Sequence, residues 1–412
     1  MPSEWRETTL GEVVNLKRGF DLPAKQRTKG GVPIVSSSGV SDYHCEAKVK
    51  APGVVTGRYG TIGQVFFCEQ DFWPLNTTLF VEDFKGNDPK FIFYFLKTVD
   101  FFAYSDKAAV PGVNRNHLHT ARVQIPDEKT QTEIAQTLGV LDDKIALLHE
   151  TNATLEAIAQ ALFKSWFVDF DPVRAKAEGR DPEGVTPEVA DQFPSEFEDS
   201  ELGGIPKGWR TTSVYDLAEY VNGAAYKAFA PNTESRGLPI IKIAELKAGV
   251  TSQTAYSDKE MPEKYRIQAG DILFSWSGNP ETSIDTFVWP HSAGWLNQHI
   301  FRVIVNDAQE RVFVLQVLRH LRPVFSGIAR NKQTTGLGHV TIADMKRLLV
   351  AMPDRAVLGQ FVDLVAPIQR RVFENEQQAL NLTELRDTLL PRLMSGKFRI
   401  PEIQEAIEEA TA

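Results

Sequence analysis

Cysteine is scarce in this sequence. Cys45 and Cys68 are the two thiols among 412 residues, and they form no CxxC pair. That leaves no ligands for a zinc knuckle and no disulfide framework, and it fits a reducing cytoplasm with two ordinary thiols. Long apolar runs are missing too. No stretch approaches the ~18 residues of a membrane span, and the opening MPSEWRETTL has no apolar signal core. There is no GxxxxGK[ST] phosphate loop and no GxGxxG after a strand, which excludes the common NTPase and dinucleotide sites. His149-Glu150 lacks the second histidine of a zinc-protease helix. Asn279-Pro280-Glu281 echoes an amino-methyltransferase motif without its aromatic residue. Glu245-Leu246-Lys247 resembles the tail of a nuclease carboxylate–lysine site, but residues 240–244 supply no acidic partner. The sequence therefore offers no catalytic constellation, no metal site and no cofactor site.

What is present is a heptad. In residues 131–167, Leu138, Ile145, Asn152, Ala159 and Trp166 take position a. Ile134, Leu141, Leu148, Leu155 and Leu162 take position d. Five heptads in phase predict a helix with a coiled-coil seam, on the order of 55 Å long. Adding 227 to each number returns the pattern: Val365, Val372, Ala379, Arg386 and Leu393 at a, and Phe361, Ile368, Asn375, Leu382 and Leu389 at d. The nearest surface for either helix is the other, and the globular segment between them favours antiparallel pairing. Asn152 then faces Asn375 in the central layer, where a polar pair fixes register. The alternative has each helix packing on its own domain. Pro367 and Pro391 predict a bend near Ala366 and fraying near Leu390, since an interior proline costs roughly 3 kcal/mol.

Charge is distributed unevenly. Residues 1–125 carry 15 Lys+Arg against 13 Asp+Glu, a net of +2. Residues 126–204 carry 6 against 18, a net of −12, and residues 205–352 carry 17 against 13, a net of +4. Residues 353–412 carry 7 against 10, so the overall −9 sits on the helices and the acidic stretch. The two large segments are mildly basic, which permits phosphate contact. They also repeat one another: GGVPIV (30–35) matches RGLPII (236–241), PGVVTGRYG (52–60) matches AGDILFSWSG (269–278), and WPLNTTLFV (73–81) matches GWLNQHIFRV (294–303). Their β-branched and aromatic runs, broken by Gly, Pro and Ser, read as strands and turns.

The predicted fold is α+β: two similar mixed α/β globular recognition domains separated by two long antiparallel coiled-coil helices, with a pseudo-two-fold internal repeat. The domains are expected at 1–126 and 205–353 and the helices at 127–170 and 354–400. An acidic linker spans 171–204, rich in Asp, Glu and Pro and read as an extended connector. An acidic tail occupies 401–412.

With that arrangement in view, the chain resembles the specificity subunit of type I restriction–modification enzymes over essentially its whole length. The most specific stretch is ALFKSWFVDFDPVRAK (161–176), with LGGIPKGW (202–209) and LLPRLMSGKFRI (389–400) beside it. The resemblance implies a non-catalytic, cytoplasmic protein with no membrane association. Its two target recognition domains would each read half of a split, asymmetric double-stranded DNA sequence. The two helices would form a spacer that binds two methyltransferase subunits, joined by restriction and translocation subunits. The competing reading is a self-sufficient DNA methyltransferase or nuclease whose site goes unrecognised.

Loops between strands carry the side chains that can reach DNA. Candidates in the first domain are Ser37, Arg58, Tyr59, Asn114, Arg115 and His117. Those in the second are Ser275, Trp276, Ser277, Lys332, Gln333, Thr334, Thr335 and His339, with Trp276 also read as core. Asn76 and Asn297 recur at one place in the repeat and read as structural. The helix seam is expected at Leu141, Leu148, Asn152, Leu155, Ile368, Asn375, Leu382 and Leu389. Ile158, Phe163 and Phe167 lie off the seam and are the candidate anchors for a methyltransferase subunit.

Overall fold

The computed structural model describes residues 5–105, 112–333, 336–398, 400 and 410. The chain folds as two compact units, residues 1–147 with 379–412, and residues 148–378. This division passes through both long helices, whereas the sequence pattern placed the domain boundaries at their ends.

In the first unit the punctuated apolar runs become two small sheets. Strands Asn15–Arg18, Thr78–Asp83, Gly53–Gly57 and Val65–Cys68 form an antiparallel sheet in that order. Its core is Val54, Val55, Leu79, Phe80 and Val81, all buried. The second sheet runs Gly39–His44, Val32–Ser36, Trp73–Pro74, and its last pair is parallel. Arg6–Thr9 pairs with Arg122–Ile125, which closes the domain just before the first long helix. A helix at Pro89–Lys97 starts on Asp88, whose carboxylate accepts from the Phe91 amide, and on Pro89, whose fixed φ suits the first turn. It buries Phe91, Ile92, Tyr94, Phe95 and Leu96. Cys68 is buried, which pushes its thiol up to about 12 and leaves it unreactive.

The second unit repeats this plan. Its four-stranded sheet runs Glu219–Asn222, Ile300–Ile304, Ile272–Ser275, Asp285–Val288. Its other sheet again has one parallel pair, Leu238–Ile241 beside Gly294–Leu296. Arg210–Ser213 closes against Leu349–Met352. The three sequence matches therefore occupy equivalent strands in both domains, and the fold is α+β with an internal repeat.

The long helices are α1 (Glu128–Phe167) and α2 (Arg355–Met394), each of 40 residues. Within the second unit they run antiparallel, with partner numbers falling on α2 as they rise on α1. Asn375 Nδ2 donates to Asn152 Oδ1 at 2.8 Å, and Asn152 Nδ2 donates to the Val372 carbonyl at 3.0 Å. Asn152 is 7% exposed and Asn375 1%, so both amides are sealed, joined by one direct hydrogen bond that leaves Asn375 Oδ1 without a partner. Further along, the Trp166 and Phe167 rings meet Phe361 at 6.0 and 4.8 Å. Leu148 is buried, and Leu155 and Ile368 are half-buried. Within the first unit the same antiparallel order brings Arg386 to Asp142, N to O at 2.6 Å, and Tyr94 donates to the other oxygen of Asp142 at 2.6 Å. Leu141, Leu382 and Leu389 are buried there. Arg386, a charged residue at a seam position, is thus matched by a carboxylate.

Two expectations are corrected. Neither proline interrupts α2, which continues through Ala366 and Leu390. Both prolines lie on its exposed face, while Val365, Leu389 and Leu393 beside them are buried. Packing on the inner face outweighs the ~3 kcal/mol cost. Residues 171–204 are not an extended connector. They contain helix Asp171–Ala177, a single turn at Pro187–Ala190, and strand Phe197–Ser200, which pairs with Gly203–Pro206. Phe170, Val173, Phe193 and Ile205 belong to the core of the second unit, and Phe193 sets its edge against Trp166 at 4.9 Å. Lys176 donates to the carbonyls of Ala190 and Phe193, which ties the segment down. A few apolar anchors hold a segment whose average composition is polar.

Candidate nucleic-acid interface

In the first unit the central strand Gly53–Gly57 ends in Arg58-Tyr59-Gly60. The Arg58 amide donates to the Thr77 carbonyl at 2.9 Å, and the Val113 amide donates to the Arg58 carbonyl at 3.0 Å. The loop is therefore strapped on both sides. A Cβ at Gly112 would lie 2.2 Å from the Tyr59 ring, so only glycine lets that segment pass. The Arg58 guanidinium lies over the Tyr59 ring at 4.6 Å, and its Nε donates to the Val113 carbonyl at 3.4 Å. The Thr61 hydroxyl donates to the Ser37 carbonyl, which brings Ser37 beside the same loop. Asn114 caps helix Arg115–His119 through its side-chain oxygen, which accepts from the Asn116 amide at 3.0 Å.

A cavity of about 280 Å³ opens among Arg18, Arg58, Leu79, Asn114, Arg115 and Asn116. Three of the sequence candidates, Arg58, Asn114 and Arg115, thus share one site. His117 is exposed on the helix and does not line it. Arg18 and Asn116 were missed. Arg18 pairs with Leu79, which also pairs with Thr56, two residues before Arg58. It ends a strand, and loop signals pass over strand ends.

His119 lies under this surface. The Leu16 amide donates to its Nε2 at 3.0 Å, so the ring serves as a neutral acceptor. Burial, then the charges of Arg115 and Lys85, hold its pKa below the usual histidine value. A group depressed in this way contributes stability above the unfolded pKa of about 6.5 that is lost as pH falls through the folded value. We expect an NMR titration to place the His119 midpoint below 6.5, with the first unit losing stability between pH 7 and pH 5. A midpoint at or above 6.5 contradicts this.

The equivalent surface of the second unit is built differently. Ser275 is sealed in its strand at 0% exposure and cannot reach DNA, which corrects its candidacy. It occupies the strand position of Gly57, where the sheet leaves no outlet. Trp276 takes the place of Arg58. It is half-buried, donates from Nε1 to Asn222 at 3.0 Å, and packs on His299 and Phe301. Burial holds the pKa of His299 below its usual value, and the residue sits at φ +79. Ser277 pairs with His339 in a short antiparallel bridge. Lys332 donates to Asp344 at 2.5 Å, and Gln333 is exposed, its amide donating to the Gly336 carbonyl at 2.8 Å. Thr334 and Thr335 lie outside the described residues. Asn297 donates to the Ala224 carbonyl at 3.2 Å, whereas Asn76 donates to the Asp21 carboxylate. Among the described residues no group of three His, Cys, Asp or Glu is placed to hold a metal ion.

Two of the three candidate subunit anchors are also corrected. Phe163 and Phe167 are 3% and 4% exposed and pack on Phe313 and Phe361 inside the second unit. Ile158 stays open at 46%.

Comparison with known proteins gives a consistent result. The family model described as "Type I restriction modification DNA specificity domain" matches twice, at residues 2–157 and 206–381. The type I restriction enzyme HindI specificity subunit of Haemophilus influenzae is 27% identical, over 96% of this chain and 100% of its own length. The MjaIX specificity subunit of Methanocaldococcus jannaschii is 25% identical, over 98% and 95%. The crystal structure of a type I restriction-modification S subunit from M. genitalium has the same fold, with a TM-score of 0.55 and 14% identity over 95% of this chain and 96% of that one.

Proposed function

Because this chain belongs to the type I restriction-modification DNA specificity family, we propose that it reads a bipartite, asymmetric double-stranded DNA target, one half through each unit's loop cluster. Specificity subunits are the non-catalytic members of such systems, and the relatives it matches carry that description. The observation that supports two unlike half-sites is a repeated frame with different side chains at equivalent places of its loop surface. Arg18 and Arg58 in one unit stand where Asn222 and Trp276 stand in the other. A frame that carries unlike side chains at equivalent loop positions presents a different surface to each half of the target. Mapping of modified bases in cells carrying this chain with its methyltransferase partner is expected to reveal a split motif with unlike halves. A continuous or palindromic motif overturns the reading. The purified chain alone is expected neither to methylate nor to cut DNA when given Mg²⁺ and a methyl donor.

The chain recruits two methyltransferase subunits and, through that assembly, restriction and translocation subunits. Ile158 on α1 is the apolar anchor left open for the methyltransferase. Ile158→Glu is expected to weaken co-assembly roughly tenfold, about 1.4 kcal/mol. Unchanged co-purification would remove Ile158 from the interface. The protein works in the cytoplasm, where its two unpaired cysteines, Cys45 and Cys68, would stay reduced. No single helix among the described residues is long and apolar enough to cross a membrane.

A further inference from the structure

We propose that the first unit grips a DNA backbone phosphate through Arg18, Arg58 and Arg115, and that the second unit has no equivalent grip, so the salt-dependent share of DNA affinity is carried unequally by the two halves. This rests on the DNA-reading assignment above.

Three arginines line one cavity of about 280 Å³, and no acidic residue lines it with them. Among the described residues none of the three forms an ion pair. Like charges brought together repel, and an anion seated among them removes that cost while accepting charge-assisted hydrogen bonds. Arg58 has its Nε committed to the Val113 carbonyl and its face to Tyr59, so its terminal nitrogens are oriented in advance. Several donors converging on one point suit a phosphate, which accepts from many directions. Reading a base edge uses one fork in one plane.

The second unit neutralises the corresponding charges. The positions of Arg18 and Arg58 hold Asn222 and Trp276, which bond each other. Three basic residues near the bridge Ser277–Gly278 with Gly338–His339 are matched by acids: Arg322 by Asp285 at 3.0 Å, Arg330 by Glu281, and Lys332 by Asp344 at 2.5 Å. The helix that carries Arg322 and Arg330 packs directly on that bridge, since a Cβ at Gly338 would lie 2.1 Å from the Ala329 carbonyl. Both loop clusters are thus basic by composition, but the three arginines of the first cavity keep their charge unpaired where these three of the second do not.

The test uses the full chain assembled with its methyltransferase subunits. Its affinity for the mapped target duplex is measured between roughly 50 and 300 mM KCl, a range in which phosphate contacts register as the slope of log K against log salt. The variant R18Q/R58Q/R115Q is expected to lower that slope by about one, weaken binding to all sequences alike, and leave the mapped motif unchanged. The matched pair R322Q/R330Q in the second unit is expected to leave the slope unchanged. An unaltered slope in the triple variant overturns the phosphate grip. A motif relaxed at a single guanine also overturns it, by assigning base reading to these residues. An equal fall in the second-unit variant overturns the asymmetry. Should the triple variant not assemble, R115Q alone, on an exposed helical residue, carries the same slope test. A wild-type complex that cannot tell its target from random duplex would instead sink the DNA-reading assignment.

Discussion

Replacing Phe361 by alanine is expected to cost about 3–5 kcal/mol of unfolding free energy. Phe361 is fully buried at a seam position of α2. Its ring meets Phe163, Trp166 and Phe167 of α1, the last nearly edge-on at 4.8 Å. Trp166 in turn touches Phe193 of the acidic segment, and Phe167 touches Trp209 and Phe313 of the recognition domain. Truncation leaves a void bounded by rigid rings, which relax less than aliphatic chains. Denaturant unfolding of the full chain measures the change. A loss under about 1 kcal/mol would show that this aromatic cluster can collapse around the gap and does not anchor the helices.

The second large effect concerns the paired amides. Asn375→Leu alone is expected to cost about 1–3 kcal/mol, because Asn152 then keeps a buried oxygen with no donor. The double variant N152L/N375L is expected to recover the loss and to match or exceed the wild type, since an apolar layer has no polar group left to satisfy. A double-mutant cycle gives the coupling directly. If the double variant is less stable than either single one, the pair is not an isolated polar layer and the register argument fails. What the amides provide against that cost is one alignment: a shift of α2 along α1 would bury both without a partner.

The features that could be read from the sequence were those with a period. The heptads located both helices, and their antiparallel overlap placed Asn152 opposite Asn375. The paired motifs VPIV and LPII, ahead of Trp73 and Trp295, located equivalent parallel strand pairs. What could not be read depends on partners distant in sequence. Phe163 and Phe167 fall off the seam and look free until Phe313 and Trp209, about 150 and 40 residues away, are folded against them. The acidic segment reads as an extended connector by composition because Phe193, Phe197 and Val173 are too widely spaced to raise its average hydropathy. The prolines of α2 were judged by intrinsic propensity, which tertiary packing overrode. Residue type singled out Arg58, Asn114 and Arg115, which share one cavity, but sheet register decided that Arg18 lines it too and that Ser275 is sealed in its strand.

The division of the chain through the middle of both helices also has a consequence for biosynthesis. The second unit is one uninterrupted stretch, residues 148–378, so everything it needs has left the ribosome by the time residue 378 emerges. The first unit takes its last part from residues 379–412, including the Arg386 that meets Asp142 and Tyr94. Its amino-terminal portion is translated first yet waits longest, with Asp142 lacking its Arg386 partner on the nascent chain until the end of α2 is made. The half made earliest is the half finished last, so it spends the longer time incomplete on the nascent chain.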